Sequence, residues 1–320
     1  MSNLIFNAFA SKKDFQTSPQ IGGNVTSDVL DIYLKNIFVS LLSAKFNNPH
    51  DDVALVCNIS LPERFEHLFH ENNIQILYVE FTSFVMPADF HWALAFYKLC
   101  AYDWVVANTE YDKYMMIDAD TVSVRSFDDI WEEANYGLLL YNINHSYSHK
   151  DRKIIQNTYD KLYKTENKNI IHYGGEFICS KRSNVGAFLS ECKSVYTLME
   201  ESNFTVDTTI GDEALISIAA SHFKIIEAGA YIYRYWTGSF YLVSTNYINN
   251  PVCIWHLPSE KKYGMLYLFE YILKNRKLPA IGKMRSAFGF PKKKRPITSM
   301  FLLIIFKRVV NNVLRGKNYE

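Results

Sequence analysis

The sequence predicts an α/β protein built on a mostly parallel sheet with helices on both faces. Three observations carry this. Short apolar runs of strand character alternate with segments whose apolar residues recur at helical spacing, in the order β-α-β-α-β. One such run, Tyr114-Met115-Met116-Ile117, ends in Asp118-Ala119-Asp120, and ligands of these sheets lie beyond the carboxyl ends of strands. Hydrophobic residues make up 48% of the 320, enough core for one large domain or two small ones.

Leu4 to Ala10 reads as the first strand. Asp28 to Lys45 places Val29, Ile32, Tyr33, Ile37, Phe38, Leu41 and Leu42 at helical spacing after Ser27, a good N-cap. Val53 to Cys57 is a second strand, Pro62 to Glu71 a short helix and Ile74 to Phe81 a third strand. Trp92 to Val106 is an apolar-striped helix leading into the acidic strand. Gly137 to Ile143 reads as a further strand. His145 to Asn169 is polar and reads as an exposed helix-plus-loop excursion. Ile170 to Ser180 is a strand broken by Gly174-Gly175. Helices follow at Asn184 to Glu200 and Asp212 to Ser221, then strands at Phe223 to Ala228 and Val252 to Trp255. Tyr231 to Tyr247 is unusually aromatic and reads as a hairpin or a binding lip.

Net charge is only +1, which gives no case for nucleic acid as the main partner. The balance is uneven, however. From Lys283 onward there are ten Lys/Arg and one acid, against 24 and 32 before it. The expected division is therefore a catalytic domain over 1–282 and a basic, apolar tail over 283–320. The tail joins Pro291-Lys292-Lys293-Lys294-Arg295-Pro296 to the apolar run Phe301 to Phe306, a pattern suited to an anionic membrane surface. A helix packed on the domain is the competing use of that run. No stretch reaches the length of a spanning helix. Met1 to Phe6 has no basic region and no long apolar region, so no secretory signal is expected. Five scattered cysteines without a C-x-x-C pair read as reduced, buried thiols of a cytoplasmic protein.

Asp118 and Asp120 leave their strand on one side, since i and i+2 point the same way. Two such carboxylates repel unless a cation lies between them, and hard divalent cations bind through carboxylates plus phosphate oxygens. An isolated D-x-D is also a common acidic turn whose carboxylates cap backbone N–H groups. His256, at the end of a short strand and followed by Lys261 and Lys262, suits a metal-and-phosphate site.

The run Tyr114 to Thr121, with Phe127-Asp128-Asp129-Ile130-Trp131 after it, resembles the "YLDADT…LW" segment of GT-A glycosyltransferases. The likeness is to family 8, the group of glycogenin and the bacterial lipopolysaccharide galactosyl- and glucosyltransferases. It extends over roughly residues 1 to 265 as an ordered series of short motifs. The resemblance implies Mn2+ (or Mg2+) held by Asp118, Asp120 and His256 on the diphosphate of a UDP-sugar donor. His256 and Lys262 match the family's "H-x-x-G-x-x-K-P-W" element, with Ser259 in place of its Gly and Tyr263-Gly264 in place of Pro-Trp. Lys98 stands where the family has a donor-contacting Arg, and Gly174 and Gly175 where an "N-S-G" element lines the donor sugar. Asp212 and Glu213 stand where the family has "D-Q" below the sugar, which leaves retention or inversion open. The implied acceptor is a growing surface glycan or glycolipid, with the enzyme peripheral on the inner membrane face. A sugar-nucleotide nucleotidyltransferase and a non-catalytic sugar-binding protein are the competing functions. The first wants a glycine-rich loop after the first strand, where only Gly22-Gly23 appears, well downstream.

Overall fold

The computed structural model describes residues 2–11, 27–90, 92–165, 169–204, 210–237 and 252–290, with 306, 307 and 310 of the tail. Its elements run β1 (Asn3–Phe9), α1 (Ser27–Asn47), β2 (Asp52–Cys57), α2 (Glu63–Glu71), β3 (Ile74–Tyr78), α3 (Tyr97–Asn108), β4 (Lys113–Ile117) and β5 (Thr121–Ser123). They continue as α4 (Asp128–Glu133), β6 (Leu138–Asn142), α5 (Lys150–Tyr163), β7 (Tyr173–Lys181), α6 (Arg182–Glu201) and α7 (Asp212–Ala220). The last are β8 (Ile225–Glu227), β9 (Ile232–Arg234), β10 (Ile254–His256), α8 (Gly264–Asn275) and α9 (Ile281–Ala287).

The main sheet has the order β3-β2-β1-β4-β7-β6-β8, and only β7 runs against the rest. Both faces are covered, which is why β1, β2 and β4 read as near-continuous apolar runs. Along β1 the side chains alternate between two cores. Ile5 and Phe9 pack with Leu34, Phe38 and Leu41 of α1, while Leu4 and Phe6 pack with Leu99 and Tyr102 of α3. The five cysteines are free and buried.

After β4 the chain turns through Asp118 to Asp120 and leaves the main sheet. β5 pairs antiparallel with β10, and β10 pairs parallel with β9, so a second small sheet stands beside the first. The segment Tyr231 onward is thus not a hairpin up to Arg234; residues 238–251 lie outside the described residues.

Three boundaries differ from those the sequence suggested. β3 ends at Tyr78, and Phe84 takes a left-handed φ of 57° as the chain turns away. The helix read from Trp92 begins as a 3-10 turn, Ala93–Phe96, before α3. β7 is continuous through Gly174-Gly175; what breaks is its register with β6, where Asn142 pairs Tyr173 but Leu140 pairs Ile178. α5 is also less exposed than its polarity suggested, burying Ile155, Thr158 and Tyr159.

Packing continues past residue 283. Met284, Phe288 and Phe290 belong to the core, with Phe288 and Phe290 ringed against Trp255 and Phe290 also against Tyr235. The basic cluster and apolar run of the tail, within 291–320, lie outside the described residues apart from 306, 307 and 310. Phe288→Ala is therefore expected to cost about 3–5 kcal/mol in denaturant unfolding, the usual loss for an emptied aromatic core site. A loss below about 1 kcal/mol would place the segment outside the domain.

Candidate functional site

The sheet order reverses between β1 and β4, because the chain first builds outward through β2 and β3 and then crosses to the other side. Such a switch point leaves a crevice at the carboxyl ends of the strands. Here it is a cavity of about 340 Å³. Ala8 to Ala10 at the end of β1 and Asp118 to Asp120 after β4 line the cavity, together with Gly175, Glu176, Asp212 and Glu213. Tyr33 and Trp92 bring aromatic surface, and Lys98, Arg234, His256 and Lys261 bring the nitrogen groups.

The Asp118 to Asp120 turn is held by its backbone. Asn7 Nδ2 donates to Ile117 O at 2.7 Å, Thr121 Oγ1 to Asp118 O at 2.8 Å, and Leu257 N to Asp120 O at 2.9 Å. Asp118 N donates to Glu176 O at 3.1 Å. With the main chain satisfied this way, both carboxylates are free to face the cavity. His256 ends β10, whose pairing with β5 brings its ring back over the turn. His256 Nε2 lies 3.4 Å from Asp120 Oδ1 and 3.9 Å from Asp118 Oδ2. One donor atom from each of the three lies within 4.8 Å of the others, so this trio can hold a metal ion. Asp120 and His256 are buried and Asp118 is half-exposed, and all three line the cavity.

Around this trio the charges alternate. Lys261 pairs with Asp120 Oδ2. His256 Nδ1 sits 3.1 Å from Glu176 Oε1. Arg234 donates through Nε to Glu176 Oε1 at 2.7 Å, and through Nη2 to Glu176 Oε2 at 2.6 Å and Glu213 Oε1 at 2.7 Å. His172 Nε2 meets Glu213 Oε2 at 2.8 Å, and His172 Nδ1 meets His145 Nδ1 at 3.0 Å.

These contacts set the proton states. Burial alone would raise the Asp120 carboxyl, but Lys261 and His256 overcome it and hold it well below the usual range. Glu176 is likewise pushed up by burial and pulled further down by Arg234 and His256. Burial would lower His256, yet the carboxylates of Asp120 and Glu176 raise it to about 9. Burial raises Asp212 to about 6, against the pull of Lys98. Burial, with His172 and His149 nearby, lowers His145 to about 4 and keeps its imidazole neutral.

Lys98, at the start of α3, spans the opposite wall. Its Nζ lies 3.1 Å from Asp118 Oδ1, 3.1 Å from Asp212 Oδ2 and 2.9 Å from Gly175 O. Asp212 Oδ2 has the Lys98 ammonium beside it and no other donor among the described residues. Gly174 and Gly175 have a local reason to be glycine. A Cβ on Gly175 would overlap the Asp212 carboxylate, and one on Gly174 would overlap Glu176 and crowd Arg234 Nη2 at 2.8 Å. Gly211, before α7, takes φ 61° with a would-be Cβ 2.7 Å from the Trp92 Cβ.

The structure brings Asp118, Asp120, His256, Lys98, Gly175, Asp212 and Glu213 to one cavity, with Gly174 directly behind. Lys262 is not among the lining residues; Lys261 is. The cause is the 3-10 turn Pro258–Glu260, which sends Lys261 inward, where Asn36 Nδ2 donates to its carbonyl at 2.9 Å. No protein-family model and no curated protein matches this chain. The site therefore stands on its geometry. Sequence reasoning found no role for Glu176 and missed Arg234 and His172. A charge inside the buried run Tyr173–Lys181 was the available signal for Glu176, since lone charges are not left in a strand covered on both faces.

Removing Arg234 would leave Glu176 and Glu213 without their main partner. Arg234→Met is expected to destabilise the fold by about 3 kcal/mol at pH 7. Both carboxyls are held below their ordinary values in the fold, so their contribution is present above the unfolded value and is lost as pH falls through the folded one. The gap between wild type and variant, followed by denaturant unfolding, should thus narrow in acid. A gap constant from pH 7 to pH 3 would contradict this account.

Proposed function

We propose that this chain is a metal-dependent glycosyltransferase of the GT-A type, similar to family 8, which moves a hexose from a nucleotide-sugar to a growing surface glycan. The observation that carries this is the convergence of Asp118, Asp120 and His256 at the carboxyl end of β4, at the switch point of a mostly parallel sheet. Two carboxylates and one imidazole suit manganese or magnesium, and the donor atoms lie close enough for one ion, so the residues fit the group. When bound there, such an ion supplies Lewis-acid stabilisation to the diphosphate of the departing nucleotide, UDP on this reading.

The chain's own residues would do the rest. Lys261 and Lys98 place fixed cations beside the ligand carboxylates, where negative charge develops on the leaving group. Glu213 has both oxygens engaged, by Arg234 and His172, and would stand as a fixed negative charge below the sugar. Asp212 Oδ2 has only Lys98 beside it, and its carboxyl is raised to about 6. It is the carboxylate best suited to meet a sugar hydroxyl or to take a proton. Tyr33 and Trp92 offer flat surfaces to a base or a sugar ring.

No helix among the described residues is long and apolar enough to cross a membrane. The basic tail would hold the enzyme as a peripheral protein on the cytoplasmic face, where a lipid-linked acceptor is extended.

The test is nucleotide release by the full chain from a panel of nucleotide-sugars, with manganese and with EDTA. Release from one donor, lost in EDTA and reduced at least 10²-fold by Asp120→Asn, is expected. Full turnover in Asp120→Asn would remove the metal assignment. No release, together with no thermal shift by UDP plus manganese, would favour a non-catalytic sugar-binding protein.

A further inference from the structure

Glu176 is a charge inside a strand that is covered on both faces, a cost that an apolar side chain would avoid. Its carboxylate lies back over β7 because residue 174 is glycine; a Cβ there would overlap it. Three N–H donors converge on its two oxygens. Arg234 gives two of them, Nε to Oε1 at 2.7 Å and Nη2 to Oε2 at 2.6 Å. His256 gives the third, Nδ1 to Oε1 at 3.1 Å. Arg234 is in turn held by Glu213, whose Oε1 lies 2.7 Å from Nη2. The two-pronged grip leaves the Glu176 carboxylate a single orientation.

That orientation decides which nitrogen of His256 can bind a metal. A carboxylate held this way only accepts, so Nδ1 donates to it whether the imidazole is neutral or charged. Nε2 is then the one ring nitrogen able to give a lone pair to an ion. It is also the nitrogen turned toward the aspartates, 3.4 Å from Asp120 Oδ1 and 3.9 Å from Asp118 Oδ2. The same residue steadies the other arm of the trio. Glu176 O accepts from Asp118 N at 3.1 Å, where the chain leaves β4. The side chain thus fixes a ligand on the small sheet, and the main chain fixes the ligand turn of the large one.

We propose that Glu176 is the positioning residue of this metal centre: it sets His256 to present Nε2 to the ion, and Arg234 sets Glu176. The proposal rests on the reading of Asp118, Asp120 and His256 as ligands of a divalent ion. A carboxylate on the far nitrogen also makes an imidazole a stronger donor, and loss of such a partner costs about 10- to 100-fold in metal affinity.

The experiment is a manganese titration of the full chain without nucleotide, read by the spin resonance of the free ion and by the nitrogen modulation of the bound one. Wild type is expected to bind manganese with a histidine nitrogen in its shell. Glu176→Met should weaken binding about 10- to 100-fold and, at saturation, lose the nitrogen signal. Glu176→Gln, whose side-chain carbonyl can still accept from Nδ1, should recover most of the loss and keep that signal. Circular dichroism of each variant reports the fold. Wild type that binds no manganese, or binds it without a nitrogen ligand, would overturn the metal reading and this proposal with it. Wild type behaving as expected, beside a folded Glu176→Met with unchanged affinity or an intact nitrogen signal, would overturn this proposal alone. So would a Glu176→Gln no better than Glu176→Met, because Glu176 would then act by its charge only. Should Glu176→Met not fold, wild type loaded with diamagnetic magnesium decides. Nitrogen NMR should show His256, assigned by its loss in His256→Gln, protonated at Nδ1; a proton on Nε2 would end the proposal.

Discussion

Six charged side chains and two further histidines run across the middle of this molecule, from Lys261 through Asp120, His256, Glu176, Arg234 and Glu213 to His172 and His145. They come from separate places: the turn after β10, the turn after β4, β10 itself, β7, β9, α7 and the loops that flank α5. Burying any one of these charges alone is costly, and each is tolerable only because its neighbours are in place. The row therefore ties the small sheet to the main one and α7 to both. Its contribution is one of arrangement more than of net stability, because apolar side chains in the same places could pack as well. What apolar packing cannot do is hold two aspartates and a histidine toward one point.

Much of the local backbone follows from that row. The two glycines of β7 leave room for the Asp212 and Glu176 carboxylates to cross the strand. β7 is also the one strand that runs against the sheet, and at the same level its register with β6 slips. Glu176 points from there into the cavity while its own carbonyl accepts from Asp118 N at 3.1 Å. The irregular strand thus carries the residue that joins the metal-capable trio to Arg234. The irregularity is a condition of the site.

The sheet and most helices were legible because burial on both faces writes long apolar runs into β1, β2 and β4. Asp118, Asp120 and His256 were grouped through the resemblance of their segments to family 8, and the structure brings a donor atom of each within 4.8 Å of the others. Lys261 lines the cavity where the spacing from His256 pointed to Lys262, with the 3-10 turn Pro258–Glu260 between them. Arg234 was hidden in an aromatic stretch, and its partners Glu176 and Glu213 lie 58 and 21 residues away in sequence. Nothing local marks such a residue, because what requires it is the charge of others. The packing of Phe288 and Phe290 was hidden for a related reason. A composition break was read as a boundary, yet charge content changes where solvent exposure changes, which need not be where packing stops.

The balance of charge in the cavity bears on the order of events there. Six carboxylates line it, Asp118, Asp120, Asp151, Glu176, Asp212 and Glu213, against three permanent cations, Lys98, Arg234 and Lys261. With His256 neutral, the excess is three negative charges in a space of low dielectric. A diphosphate would be repelled from such a cavity. Protonation of His256, raised to about 9 by the Asp120 and Glu176 carboxylates against the effect of burial, and of Asp212, raised to about 6 mainly by burial, relieves part of the excess. A divalent ion between Asp118 and Asp120 relieves it more directly, and supplies the positive charge that phosphate oxygens seek. On the proposed reading, the negative excess makes a cation a precondition for the donor.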